Sequence, residues 1–261
     1  MIFDVNAYVG HYPFRALRAR RAEEVVALMD RAGIDRALVS SLHALFYRDT
    51  QRGNEELWAD IRPWRDRLVP VATINPKYAG WERDFDEVVG TWGARAVTLV
   101  PEYHGYALGD DAGKAALARI EAAGVPLLLT QRFEDRRQRH AWDRAEDLPA
   151  AAVLAAARAY PRLRFILSNW AGLDGAKLAE AGLRGRVLID FARLQVVFRE
   201  DVSKLVAALG PEAVAFGSHL PFDYAGGSLV KLENLDGRPA EERESIAWRN
   251  AVRFLGLDEK R

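Results

Sequence analysis

Residues 113–131 read GKAALARIEAAGVPLLLTQ, and this stretch decides the fold. GKAALARIEAAG carries an amphipathic helical pattern that stops at Gly124, a residue able to take the left-handed C-cap that turns a chain back into a sheet. The apolar run that follows predicts a strand over Pro126–Gln131. Its apolar character is nearly continuous, as expected of a strand covered on both faces.

The same unit recurs in both directions. Strands are predicted at Ile2–Val5, Ala37–Ser41, Leu68–Thr73, Ala94–Val100, Arg164–Ser168, Arg186–Asp190 and Val214–Ser218. Helical patterns such as AEEVVALMDRAG, EELWADIRPWRDR, AAAVLAAARAY and DVSKLVAALG separate them, and a final helix is predicted over Glu241–Leu255. AGI at 32–34 and LGP at 209–211 repeat the helix–Gly–strand signal. Eight such units without a composition break predict an α/β chain, a single (β/α)8 TIM barrel forming one domain over residues 1–261. A doubly wound sheet is the alternative, but no Gly-rich phosphate fingerprint follows the first strand.

Composition narrows the function. Lys+Arg and Asp+Glu both total 37, so no charge excess points to nucleic acid or a charged membrane surface. No cysteine is present, which removes disulfides, thiolate metal sites and cysteine nucleophiles. MIFDVNAYVG has neither a basic leader nor an apolar signal core, and no apolar run approaches the roughly 20 residues of a membrane span. The expectation is a soluble, cytoplasmic protein with a small-molecule partner, and exposed aromatic residues on the outer ring leave a homo-oligomer open.

In a barrel, side chains at the C-terminal strand ends converge on one mouth. Those ends supply Asn6, Tyr8, His43, Asn75, Glu102, Tyr103, His104, Thr130, Gln131, Asn169, Asp190 with Arg193, and His219. The long connection Arg132–Leu148, with Phe133 and Trp142 as aromatic anchors, reads as an active-site lid, and it adds Arg132, Glu134, Asp135 and His140. A second long connection runs from Leu220 to the last helix. Four of the five histidines fall at or near this rim and His11 in its first loop, a bias that suits proton transfer near neutrality. His219 ranks first because GSHLPF follows a buried strand directly; His104 in PEYHGY, beside Tyr106, comes next. Each histidine also has a purely structural reading, and Glu134 and Asp135 have neighbouring arginines to pair with. No HxH, HExxH, GxSxG or GxxxxGK[ST] spacing occurs.

Taken together, FDVNAYVG, VPLLLTQ, FILSNWAG and AFGSHLPF resemble the amidohydrolase-related (amidohydrolase 2) family of TIM-barrel metal-dependent hydrolases and decarboxylases, over essentially the whole chain. The resemblance implies histidine ligands after the first, fifth and sixth strands and an aspartate after the eighth. Here those positions hold Asn6 and Tyr8, Thr130, Asn169 and His219, poor substitutes for a transition-metal ligand set. The replacements remain polar, so a wet, hydrogen-bonding pocket is expected.

The leading expectation is a metal-independent hydrolase of a small polar or carboxylated molecule. His219, with His104 or His140, would act as acid and base, with Glu134 and Asp135 as further catalytic candidates. Asn6, Tyr8 and Asn169 would polarise a carbonyl, Arg15, Arg132 or Arg136 would clamp a carboxylate, and His43, Tyr106, Thr130 and Gln131 would line the substrate. No cofactor is expected. The first alternative relocates a divalent metal to His104, His140, His219 and Glu134 or Asp135; the second is a catalytically inactive barrel that binds a ligand or partner.

Overall fold

The computed structural model describes residues 1–194, 200–235 and 237–258. Its first half runs β1 (Phe3–Val9), α1 (Ala22–Ala32), β2 (Arg36–Ser41), α2 (Thr50–Ile61), β3 (Leu68–Thr73), α3 (Trp81–Asp86), β4 (Ala96–Thr98), α4 (Pro101–His104) and α5 (Asp111–Ala123). Its second half runs β5 (Leu127–Thr130), α6 (Ala150–Ala159), β6 (Phe165–Ser168), α7 (Gly175–Glu180), β7 (Val187–Asp190), α8 (Asp201–Leu209), β8 (Val214–Ala215), α9 (Ala225–Glu233), α10 (Ala240–Glu244) and α11 (Asn250–Leu255). The eight strands are all parallel and lie in chain order. Val5 N donates to Phe216 O at 3.0 Å and Tyr8 N to Leu220 O at 2.8 Å, joining β1 to the segment after β8. This is the predicted (β/α)8 barrel.

The helix–Gly–strand signal works as read at Gly33 and Gly124, whose φ values of 65° and 68° place them in the left-handed region. Gly210 differs, with φ 99° and ψ 156°, because the ring of the following Pro211 drives the preceding ψ into the extended range. Two predicted boundaries move. β1 continues to Val9, so Asn6 and Tyr8 stand on the strand itself rather than beyond it. The connection after Leu220 is not wholly a loop, since α9 occupies Ala225–Glu233.

The predicted C-terminal helix closes the bottom of the barrel. α10 and α11 are continuous through a π-turn at Ser245–Arg249. Trp248, Ala251, Val252 and Leu255 pack with Phe3, Val5, Leu38, Ile166 and Leu188 from the barrel interior. Burial of each large apolar side chain contributes about 1.5–3 kcal/mol. Trp58 and Trp64 pack against the core between strands and helices, and Trp81 is buried within it, as their helical spacing suggested. Among the described residues no helix is long and apolar enough to cross a membrane.

One buried amide ties α2 to the sheet. Asn54 Nδ2 donates to Thr73 O at 2.9 Å, and Asn54 Oδ1 accepts from Thr73 N at 2.8 Å, so the side chain extends the strand ladder at the end of β3. Asn54→Leu leaves both backbone groups unpaired in a fully buried place and is expected to cost about 2–4 kcal/mol. A lowered urea midpoint with unchanged slope is the readout; an unchanged midpoint would show that the pair contributes nothing.

Candidate active site at the barrel mouth

The centre of the mouth is a buried polar network contributed by β1, β6 and β7. Asn6 Nδ2 donates to Asn169 Oδ1 at 2.8 Å and to Asp190 Oδ2 at 3.2 Å. Asp190 also accepts from the backbone N–H groups of Asn169 and Ala192, at 2.9 and 2.8 Å. Burial nonetheless raises the Asp190 carboxyl above its ordinary value, with those donors pulling the other way. Below this layer Asp4 accepts from Ser218 N at 3.0 Å, Asn6 N at 2.9 Å and the Ser218 hydroxyl; burial still pushes its carboxyl up to about 7.

His219 enters from the segment after β8. Its backbone N–H donates to Asn6 O at 2.9 Å, and the residue is 0 % exposed. The ring stacks on Phe222 at 4.7 Å and 6° and meets the Tyr8 ring edge-on at 5.8 Å. Nδ1 lies 2.9 Å from Asp223 Oδ2, and Arg193 Nη2 lies 3.3 Å from the same oxygen. Burial lowers the imidazole's pKa, opposed by Asp223, so the ring is neutral near pH 7. Asn169 and His219 hold φ values of 58° and 62°, left-handed conformations that cost a non-glycine residue on the order of 1–3 kcal/mol and concentrate at functional sites. Trp170 anchors this turn, donating Nε1 to Leu129 O at 3.0 Å.

Among the described residues, Asn6 Oδ1, Asn169 Nδ2 and His219 Nε2 are buried polar atoms without a hydrogen-bond partner. They sit on three of the positions where the resemblance placed metal ligands. A buried polar atom left unmatched is uncommon in a native fold and calls for a ligand or a functional cause.

The expected open, wet pocket is corrected by what covers this layer. Tyr8, Tyr12, Phe133 and Phe222 form a buried ring cluster with Leu17, Leu42, Leu45 and Val100. Tyr8 packs edge-on against Phe133 and Phe222 at 5.5 and 5.6 Å, and its hydroxyl reaches Thr130 Oγ1 at 3.4 Å. The residues filling the mouth are thus as aromatic as they are polar.

The 132–148 connection does lie over the mouth. Phe133 is its buried anchor, whereas Trp142 is 80 % exposed and anchors nothing. Glu134 is buried and accepts from Arg15 Nε at 2.6 Å, while Arg15 Nη2 donates to Phe222 O at 3.3 Å. Asp143 accepts from Tyr12 at 2.9 Å and from Tyr103 at 3.1 Å. These contacts strap the connection down on loops from β1 and β4.

The remaining predicted site residues are scattered. His104 donates Nε2–H to Ala44 O at 3.1 Å; burial takes its pKa down to about 4. His43 is engaged at both nitrogens, with Glu56 at 2.5 Å and the His11 N–H at 2.9 Å. His140 stacks on Phe14 at 5.9 Å and is exposed. Asp135 pairs with Arg137 at 2.9 Å and is held well below the ordinary carboxylate range. Arg132 pairs with Asp147 at 3.3 Å, and Gln131 Oε1 accepts from Ala171 N at 3.0 Å. Tyr106 packs against the core between strands and helices. The relocated metal set of His104, His140, His219 and Glu134 or Asp135 is therefore not assembled, and no group of three or more such side chains that could hold a metal occurs among the described residues.

A family model described as amidohydrolase matches residues 10–257. The chain belongs to the amidohydrolase family. Among solved structures, this amidohydrolase is similar to 5-carboxyvanillate decarboxylase from Sphingomonas paucimobilis, with TM-score 0.78, 14% identity, and 98% of this chain and 99% of that chain covered. It is similar also to 2,6-dihydroxybenzoate decarboxylase from Rhizobium, with TM-score 0.71, 14% identity and 98% of each chain covered. A dihydroxybenzoic acid decarboxylase from Polaromonas sp. JS666, with bound manganese and the inhibitor 2-nitroresorcinol, matches with TM-score 0.75, 15% identity, and 99% of this chain and 98% of that chain covered. A search of curated proteins finds no match.

The manganese in that relative invites a test of the donor set in this amidohydrolase. Asn6 turns its amide nitrogen to Asn169 and Asp190, burial keeps the Tyr8 phenol protonated, and both Asp190 oxygens accept from N–H groups. One imidazole, His219, remains. Amide and phenol oxygens are weak ligands for a divalent transition ion, and the residues present do not fit one.

The sequence reading passed over Asp223 and gave Arg193 no role. The signal for the first was present: Asp223 stands four residues after His219 in GSHLPFD.

Proposed function

We propose that this amidohydrolase is a metal-independent hydrolase of a small, flat, carboxylated molecule bound at the barrel mouth, with His219 as general base and then general acid. The observation that carries this reading is the buried His219 Nε2, which has no hydrogen-bond partner among the described residues, on a segment whose backbone bonds to Asn6, where Asn6 Oδ1 and Asn169 Nδ2 are likewise unpartnered. An ionised Asp223, 2.9 Å from Nδ1, calls for a proton on that nitrogen and a lone pair on Nε2, across the ring. A neutral imidazole in that state takes a proton from water attacking a carbonyl carbon and returns it to the leaving oxygen or nitrogen. Asn169 Nδ2 supplies an N–H for the developing oxyanion. Arg15 and Arg193, both acting electrostatically on His219, provide cations for a substrate carboxylate. The similar decarboxylases, named for carboxylated or hydroxylated benzoates, motivate the flat, carboxylated substrate.

A second reading is a binding barrel without turnover, favoured by the complete burial of His219 beneath the ring cluster. The two separate on a panel of carboxylated aryl esters, lactones and anilides, with hydroxybenzoates included for release of carbon dioxide. Hydrolysis of at least one class is expected. Saturable binding by calorimetry with no product from any member would establish the second reading.

A further inference from the structure

We infer that Asp223 is a positioning residue that sets the tautomer of His219 against the bias of Arg193; the inference rests on the acid–base reading of His219 given above. Among the described residues, the imidazole Nδ1 has two polar neighbours of opposite character. Asp223 Oδ2, at 2.9 Å, only accepts while ionised, and Arg193 Nη2, at 3.5 Å, only donates. The carboxylate calls for a proton on Nδ1 and a lone pair on Nε2. The guanidinium calls for the reverse.

Distance and electrostatics decide in favour of the carboxylate. Asp223 is the nearer group, and its carboxyl is held below the ordinary value by His219, Arg193 and Arg15 against the effect of its burial. Arg193 Nη2 forms an ion pair with the same Asp223 oxygen at 3.3 Å, which sets its charge against the carboxylate as well as the ring. Remove the carboxylate and, among the described residues, the polar group left beside Nδ1 is a donor. The proton then sits on Nε2, and that nitrogen can no longer accept one. Asp223 is also half exposed, its side chain 44% accessible, and lines a groove of about 470 Å³ with Arg18, Leu220, Pro221 and Tyr224 between α1 and α9. Replacing it therefore disturbs little packing. The ring can stay stacked on Phe222 and edge-on to Tyr8 in either tautomer.

The test is two-bond ¹⁵N–¹H correlation of protein labelled at histidine ring nitrogens, near pH 7, on the full chain. In the wild type the His219 signals are expected to show Nδ1 protonated and Nε2 bare. Asp223→Asn and Asp223→Ala are both expected to move the proton to Nε2, and Asp223→Ala combined with Arg193→Ala is expected to give a mixture. On any substrate found in the panel, Asp223→Asn should lower kcat by about 10²–10⁴-fold with little change in KM, the scale of a lost acid–base group. A proton that stays on Nδ1 in both single variants overturns the inference. A proton that moves while kcat does not would uphold the positioning and refute His219 as the base, so the two failures are distinguishable.

Discussion

His219→Asn is expected to abolish most turnover and leave the fold standing. Asparagine is chosen because it accepts the left-handed backbone that His219 occupies at φ 62° better than other side chains do, and because the backbone bond from residue 219 to Asn6 O does not depend on the side chain. The imidazole is the proposed proton carrier at this centre, and its loss is expected to lower kcat by about 10²–10⁴-fold. The melting temperature should move by only a few degrees, since the ring's packing on Phe222 is partly kept by an amide of smaller size.

The pH profile of the wild type carries the same assignment. A base works only when neutral, and burial lowers the pKa of His219. Activity should therefore persist as pH falls past the ordinary imidazole value and fail only at more acid pH. The acid limb of kcat/KM reads this directly. Full turnover by His219→Asn, or an acid limb above the ordinary imidazole value, would remove His219 from the mechanism.

The largest loss of stability is expected from Asp190→Ala. Asp190 is fully buried and takes hydrogen bonds from Asn6 Nδ2, Asn169 N and Ala192 N. Removing it strands all three donors at the meeting point of β1, β6 and β7. At about 1–3 kcal/mol for each unpaired buried group, partly relieved by entering water, the net cost is about 3–5 kcal/mol. For a chain of this length that corresponds to a fall of roughly 10 °C in melting temperature. Asp190→Asn retains one acceptor and should recover part of the loss. The surroundings are as tight as the hydrogen bonding implies, because a Cβ added at Gly217 would lie 2.5 Å from the Asp190 Cβ. Calorimetry and urea denaturation measure both variants, and a loss below about 1 kcal/mol, the typical net worth of one hydrogen bond, would contradict the network's role.

The barrel was legible because its grammar is local. A helix pattern, a glycine and an apolar run occupy adjacent positions, and Gly33 and Gly124 take the backbone that the pattern demands. The end of β1 was not legible, since Asn6 and Tyr8 are polar letters that read as loop, whereas tertiary contacts with residues 216–220 hold them in the strand. The site was half legible for the same reason. Asn6, Asn169 and His219 were marked by their place at strand ends, and Asn6 bonds to Asn169 and to the backbone of His219. The expected union of His219 with His104 or His140 failed because loop residues have no fixed direction: His104 turns to Ala44 and His140 to Phe14.

Partners separated widely in sequence leave no trace in composition. Arg15, and not one of the nearby arginines, pairs with Glu134, a contact spanning 119 positions. Tyr8, Phe133 and Phe222 came from three distant segments, and nothing in any one of them announces that their rings pack together over the polar layer.

Metal-independent proton transfer at the mouth is tested most directly by turnover of the protein after exhaustive treatment with a chelator, with the residual metal content measured by mass spectrometry. The account predicts that activity toward the hydrolysed substrate persists undiminished with far less than one ion per chain, and that added manganese or zinc does not raise it. Activity that vanishes on chelation and returns in proportion to added manganese would contradict the account.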